Sequence, residues 1–444
     1  MFKKIKTTSL SLALISSLAI FSGCDDIKNT GENIVPITGI EEFISAEVID
    51  DVNDSVMLNV LDYAGINSTN AFGYKNAFGY KAVKITYNTK GQNDEDIVAS
   101  GLLVIPTISD NYKDSLDSIG KSYSVSMICD NHGTILTNAE APTNVEKADG
   151  MPNYPLAVSM TGYAGFAGIY PDYIGYGDSS DKKHPYLLKK ASARASLDMI
   201  KASMKYMIDN NIVLNYQLFL SGYSEGGYTT LALAEEIETN NNHEFNLMGV
   251  APMAGPYLID SMGDSIIKAN STMAVPAYIA FLTDSYTDAY ENLTLEEMVL
   301  ESKVSAFTNL FNGTNTLTDI QIQLGMGLNT PVNQLLKDSF ISDYESTPEH
   351  KLRTIFKENN VGNWSATSKI KLIHCSNDDV VSADMTVGVE SILNSLGATN
   401  VEKLIIDGVT ADYTKGESIH YNCASPAYIQ AIGWFDAIRK GDIK

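Results

Sequence analysis

The chain has 444 residues, 44% hydrophobic and 9% aromatic, which is enough apolar material for a substantial core and excludes intrinsic disorder. Its 31 basic residues face 54 acidic ones, a formal charge of −23 that repels nucleic acid and draws nothing from anionic lipid headgroups. Six histidines and four cysteines show no HExxH or CxxC spacing, so no metal centre is expected.

In chain order, "MFKKIK" is a short basic start and "TTSLSLALISSLAIF" is apolar with small residues, closed by "SGC" at Cys24. The segment resembles a bacterial lipoprotein export signal, with Phe21 standing where that family most often has Leu. The resemblance implies removal of residues 1–23 and lipidation of Cys24, which would become the new N-terminus. Loss of Lys3, Lys4 and Lys6 leaves 28 basic residues against 54 acidic ones, a charge of −26. Membrane attachment would then rest on the lipid at Cys24, and the expected location is the bacterial cell envelope. Polar residues over 24–50 read as a tether, and "NAFGYKNAFGYK" (70–81) repeats one hexapeptide, too few copies for a solenoid and suited to a hairpin or loop.

Strand-like runs follow at 82–89, 97–107, 123–129, 163–177, 216–222 and 246–255, and later at 370–376 and 402–407. From the third run onward, apolar residues at helical spacing intervene, over 189–209, 228–238, 387–397 and 426–440. Strands alternating with helices predict an α/β fold, a mostly parallel sheet covered on both faces. The alternation stops between Pro256 and Lys369, where helical patterns dominate. The core is therefore assigned to 51–257 and 369–444, with a helical lid or cap insertion over 258–368. Met273, Phe281, Phe307 and Phe311 in it would suit an apolar groove or a helix core equally.

"QLFLSGYSEGGYTTLALAEE" joins an apolar strand, a Gly-x-Ser-x-Gly turn and an amphipathic helix, the context of a nucleophile elbow centred on Ser224. A serine hydroxyl needs a base to take its proton, and the base needs a carboxylate to hold its tautomer. "KIKLIHCSNDDVVSADM" is a buried-type strand ending in two carboxylates, on the sheet edge that also carries the elbow. Its spacing resembles the H-G-x-x-D-x-x-V-P stretch of α/β-hydrolases and points to Asp378. Cys375 and Ser382 depart from that pattern, and Asp379 stays a candidate. His420 lies after the last strand and before the final helix; His374 belongs to the acid strand and is expected to pack. His132, His184, His243 and His350 are placed less well. Serine, aspartate, histidine at 224, 378 and 420 follow the α/β-hydrolase order. The oxyanion donors would be the N–H of Glu225 and that of Gly133 or Thr134, after the third core strand.

Taken in order, "HGT", "YPDYIGYGDS", "HPYL", "GYSEGG", "HCSNDDVV" and "HYNCASP" resemble bacterial relatives of the fungal secretory lipase A family over most of residues 80–440. The resemblance implies an α/β-hydrolase core with a helical lid after the sixth strand, acting on carboxylic esters or lipids through an acyl-enzyme without a cofactor. Asp172 and Asp178 are expected to order the loop after the fourth strand. Cys375 and Cys423 flank the acid and base loops, and a disulfide between them is expected to hold both in register. Two other readings are a serine peptidase on the same fold and an envelope lipoprotein that binds a ligand without chemistry.

Overall fold

The computed structural model describes residues 41–53, 78–118, 123–144, 164–240 and 245–443. Cys24, His243 and most of the hexapeptide repeat lie outside them, as does the expected export segment.

A nine-stranded sheet organises the molecule, in the order β1-β2-β3-β5-β4-β6-β7-β8-β9. The strands are β1 (Phe43–Val52), β2 (Gly79–Lys90), β3 (Asp96–Thr107), β4 (Val125–Asn131) and β5 (Ala167–Pro171). They continue with β6 (Leu214–Tyr223), β7 (Asn246–Met253), β8 (Ile370–Cys375) and β9 (Val401–Ile406). The first three strands and the β3–β5 pair are antiparallel, and every pairing from β5 to β9 is parallel. One sequence boundary needs correction: β1 pairs with β2 from Phe43, inside the stretch assigned to a tether. Most side chains of this edge strand are exposed, so it lacks the apolar alternation that marks a half-buried strand.

Alternation along the central strands shows why both faces are covered. Leu218 and Leu220 of β6 enter the core cluster shared with α1 (Lys189–Asp209) and α2 (Glu225–Asn240). Phe219 between them points the other way, against Phe435 of α6 (Ile419–Lys440), with ring centroids 5.0 Å apart. Alanines 191, 193, 195 and 202 are buried on α1, letting it lie close to the sheet.

Between β7 and β8 the chain leaves the sheet. It carries α3 (Ile259–Ile266) and α4 (Pro276–Ala289), and a two-residue ladder joins Thr272–Met273 to Thr330–Pro331. Phe281, Phe307, Leu310 and Phe356 of this insertion belong to the same apolar cluster as α1 and α2, so it packs onto the core. After β8, α5 (Asp384–Ser395) leads back to β9. The parallel strands β4, β6, β7 and β8 deliver their C-terminal ends to one edge of the sheet, beneath that insertion.

Candidate active site

Ser224 occupies the single position between β6 and α2, with φ 60°, a left-handed conformation that costs a non-glycine residue energy. Neighbouring backbone holds it there: Ser224 N donates to Met253 O at 2.9 Å, and Tyr228 N to Ser224 O at 3.2 Å. The flanking glycines are steric requirements. A Cβ on Gly222 would lie 2.3 Å from Gly226 O, and one on Gly226 would lie 1.9 Å from Asn131 O. Strand, strained serine and helix N-terminus thus meet in a turn that only small residues allow.

His420, the second residue of α6, is buried with its Nε2 2.9 Å from Ser224 Oγ and its Nδ1 2.7 Å from Asp378 Oδ2. Asp378 Oδ1 accepts from the N–H groups of Val380 and Val381 at 3.0 and 2.8 Å. Burial acts to raise the Asp378 carboxyl, but hydrogen bonds from His374 and His420 outweigh it and hold the group well below the usual carboxylate range. An ionised Asp378 accepts from Nδ1–H, which leaves Nε2 free to accept the serine proton.

The neighbouring Asp379 faces elsewhere. Its carboxylate accepts from Ser418 Oγ at 2.6 Å, His420 N at 3.0 Å and Ile419 N at 3.2 Å, satisfying the first N–H groups of α6. Burial opposes ionisation of Asp379 as well, and these donors lower its carboxyl in spite of that. Cys375, at the end of β8, is disulfide-bonded to Cys423 in the first turns of α6, which ties the acid loop to the histidine helix. Tyr223 OH donates to His420 O at 2.6 Å, a further tether from the elbow strand.

Four other histidines lie among the described residues. His374 is fully buried: its Nε2–H reaches Val381 O at 3.0 Å and Asp378 Oδ2 at 3.3 Å, and its Nδ1 lies 2.8 Å from Thr386 Oγ1. It packs, as the sequence suggested, and also donates to the acid. His184 Nε2 lies 2.6 Å from Glu225 Oε1, and its Nδ1–H donates to Ile174 O at 2.8 Å. Glu225, in the first turn of α2, is buried, and its Oε2 has no partner among the described residues. His132 is half-buried beside Tyr173, centroids 4.0 Å apart, and its removal from solvent lowers its affinity for a proton. His350 caps the helix Lys351–Glu358 by accepting from Leu352 N, away from Ser224.

Gly133 lies against the elbow, its Cβ position 3.6 Å from Ser224 Cβ. Among the described residues, the N–H groups of Gly133, Thr134 and Glu225 have no protein acceptor. Thr134 Oγ1 bonds Tyr186 OH at 3.1 Å. Asp172 is buried and accepts from Ser100 Oγ and from Thr143 N, while Asp178 accepts from Lys84 and from Thr86 Oγ1, so both order the loop after β5.

A cavity of about 210 Å³ opens on Ser224. Tyr186 and Leu187 line it from the core, Val380, Val381 and Ser382 from the loop after β8, Met385 from α5, and α3 and α4 of the insertion from above. Met273 lines it as well. Phe281 instead stacks on Tyr186 and on Phe311, and Phe307 meets Phe311 edge-on, within the packing of the insertion on the core. Among the described residues no group of three or more His, Cys, Asp or Glu is placed to hold a metal ion, and no helix is long and apolar enough to cross a membrane.

Residues 155–434 match the family model of the secretory lipases, well over half of the chain. The chain belongs to the secretory lipase family. It is thus a carboxylic-ester hydrolase on an α/β-hydrolase fold. The rice cell wall degrading esterase LipA from Xanthomonas oryzae superposes with a TM-score of 0.73 at 20% identity, over 90% of this chain and 97% of that one. Candida antarctica lipase A, in its closed state, superposes with a TM-score of 0.58 at 13% identity, over 84% and 78% of the two chains. At these identities the superpositions speak for the fold alone. No curated protein matches the sequence.

Proposed function

We propose that this secretory lipase family member hydrolyses carboxylic esters through Ser224, His420 and Asp378 as a catalytic triad. The observation that carries the reading is the unbroken contact path Asp378 Oδ2–His420 Nδ1 and His420 Nε2–Ser224 Oγ, at 2.7 and 2.9 Å. Ser224 Oγ attacks the ester carbonyl as its proton passes to His420 Nε2, and the charge on Asp378 stabilises the imidazolium. The tetrahedral oxyanion takes hydrogen bonds from Glu225 N–H and from Gly133 or Thr134 N–H. His420 returns the proton to the leaving alkoxide, an acyl-Ser224 ester remains, and water activated by the same histidine releases the acid. Neither a metal nor an organic cofactor enters these steps. The insertion over α3 and α4 acts as the lid.

The mature protein we place in the cell envelope, anchored by lipid at Cys24, on the support of the signal-like residues 1–23. One experiment reads both proposals: mass spectrometry of the mature protein after treatment with a fluorophosphonate. An adduct on the Ser224 peptide and a lipid-bearing Cys24 at the N-terminus are expected, and Ser224→Ala is expected to cost about 10⁴-fold or more in ester hydrolysis. An unlabelled Ser224, or an unmodified Cys24, overturns the corresponding half. A peptidase on the same fold would instead cleave peptide amides in preference to esters of matched side chain.

A further inference from the structure

Behind the cavity on Ser224 lies a second, smaller void of about 20 Å³, lined by apolar residues including Gly263, Ile267, Tyr286, Met298, Leu336 and Phe356. Four residues belong to both linings: Met262 and Ile266 of α3, and Ile279 and Leu282 of α4. They form a partition between a cavity that reaches the nucleophile and a void that does not. Leu282 is 7% exposed, and Met262, Ile266 and Ile279 are half-buried around it.

We infer that this partition sets the longest acyl chain the enzyme accepts, ending the acyl pocket after about eight carbons. The inference rests on the ester-hydrolase reading above and adds a specificity determinant to it. A cavity of about 150 Å³ holds the six carbons of benzene, so one of about 210 Å³ holds roughly eight. The acyl half of the substrate is the half that suits such a pocket. It stays bonded to Ser224 through two chemical steps, whereas an alcohol must leave between them, and a blind apolar pocket would retain it. The walls favour a flexible chain: Met262, Met273 and Met385 adapt to irregular apolar shapes, and Val275, Ile279 and Leu282 supply aliphatic surface. Each methylene buried there contributes about 0.8 kcal/mol, or about fourfold in kcat/KM, until the partition is met.

The experiment is a series of p-nitrophenyl esters from acetate to palmitate, with a second series of acetates that vary only in the alcohol. The wild type is expected to rise about threefold to fourfold per methylene to an optimum near octanoate, then fall by tenfold or more by laurate. Leu282→Ala, or Ile279→Ala with Leu282→Ala, opens the partition into the void beyond, and the laurate-to-acetate ratio of kcat/KM is expected to rise at least tenfold. Ala274→Leu, which fills the pocket on the nucleophile's side, is expected to shift the optimum shorter, so the proposal survives a partition variant that fails to fold. A flat acyl profile, an unchanged ratio in the folded partition variants, or a partition effect seen in the alcohol series instead would overturn it. These results are distinct from failure of the parent reading, in which fluorophosphonate leaves Ser224 unlabelled and ester hydrolysis survives Ser224→Ala.

Discussion

At the scale of single residues, the adjacent carboxylates Asp378 and Asp379 divide two tasks that their shared chemistry does not distinguish. Asp378 is fully buried at its side chain and faces two imidazoles, while Asp379 faces the N-terminus of α6. Substitution should separate the roles. Asp378→Ala is expected to lower kcat about 10⁴-fold with little change in KM, since in the proposed triad it removes the group that orients the base. Asp379→Ala removes a helix cap of about 1 kcal/mol, so the melting midpoint should drop and kcat should fall only about tenfold. Steady-state kinetics beside thermal melts reads both, and equal losses of kcat in the two variants would refute the division. In the sequence the two residues were separated only by matching an acid-loop pattern, because neighbouring loop carboxylates carry no periodic signal. Glu225 shows the limit more sharply. An acid at the start of a helix has a sufficient local explanation, and its actual partner, His184, stands 41 residues earlier in the chain. Nothing in either local environment announces that pairing.

At the scale of elements, the parts legible in the sequence are those whose burial leaves a period. Helix α1 coincides with the apolar pattern read over 189–209, and β2, β3 and β6 follow their runs closely, because each buries a continuous face. The edge strand β1 buries little and was missed, while β5 ends at Pro171, short of the run read to 177, because Asp172 and the glycines after it build a loop. Helix α6 starts at Ile419, earlier than its apolar pattern, because Asp379 caps it and the bond to Cys423 fastens its first turns to β8. That fastening is testable. The bond closes a loop with a sequence separation of 48, for which chain entropy gives a stabilisation of about 4 kcal/mol. Replacing both Cys375 and Cys423 by Ser is expected to lower the melting midpoint by several degrees. It should also lower kcat more than it raises KM, since the loop after β8 and helix α6 carry Asp378 and His420, the acid and base of the proposed triad, while the cavity walls come mostly from other segments. A variant that melts lower with unchanged kcat would show that the bond holds the fold without holding the register of Asp378 and His420.

At the scale of the whole molecule, carboxylates held by the fold contribute to how stability responds to pH, and they act in opposite senses. Asp378 and Asp379 have lowered carboxyl pKa values, so the stability they contribute is present above about pH 4, the unfolded value, and is lost as the medium becomes more acid. Asp130 is the reverse case. It lies inside the sheet at the end of β4, accepting from Ser221 Oγ at 2.6 Å and Tyr428 OH at 3.2 Å, and burial pushes it up to about 7 against the pull of those two donors. Below about pH 4 the folded and unfolded chains both hold this proton. Between about 4 and 7 the unfolded chain releases it while the folded chain keeps it, so the unfolded state gains and stability falls as pH rises. A shift of that size corresponds to a few kcal/mol across the window. Asp130→Asn keeps an acceptor for Ser221 and removes the titration. Its melting midpoint relative to the wild type is therefore expected to climb by several degrees from pH 4.5 to pH 8. Because the comparison is a difference at each pH, the opposing contribution of His132, whose lowered affinity for protons favours the folded state as pH rises, cancels from it. A difference that stays constant from pH 4.5 to pH 8 would mean that Asp130 is already ionised in the folded protein, and the core would then have to hold a bare carboxylate on two hydroxyl donors.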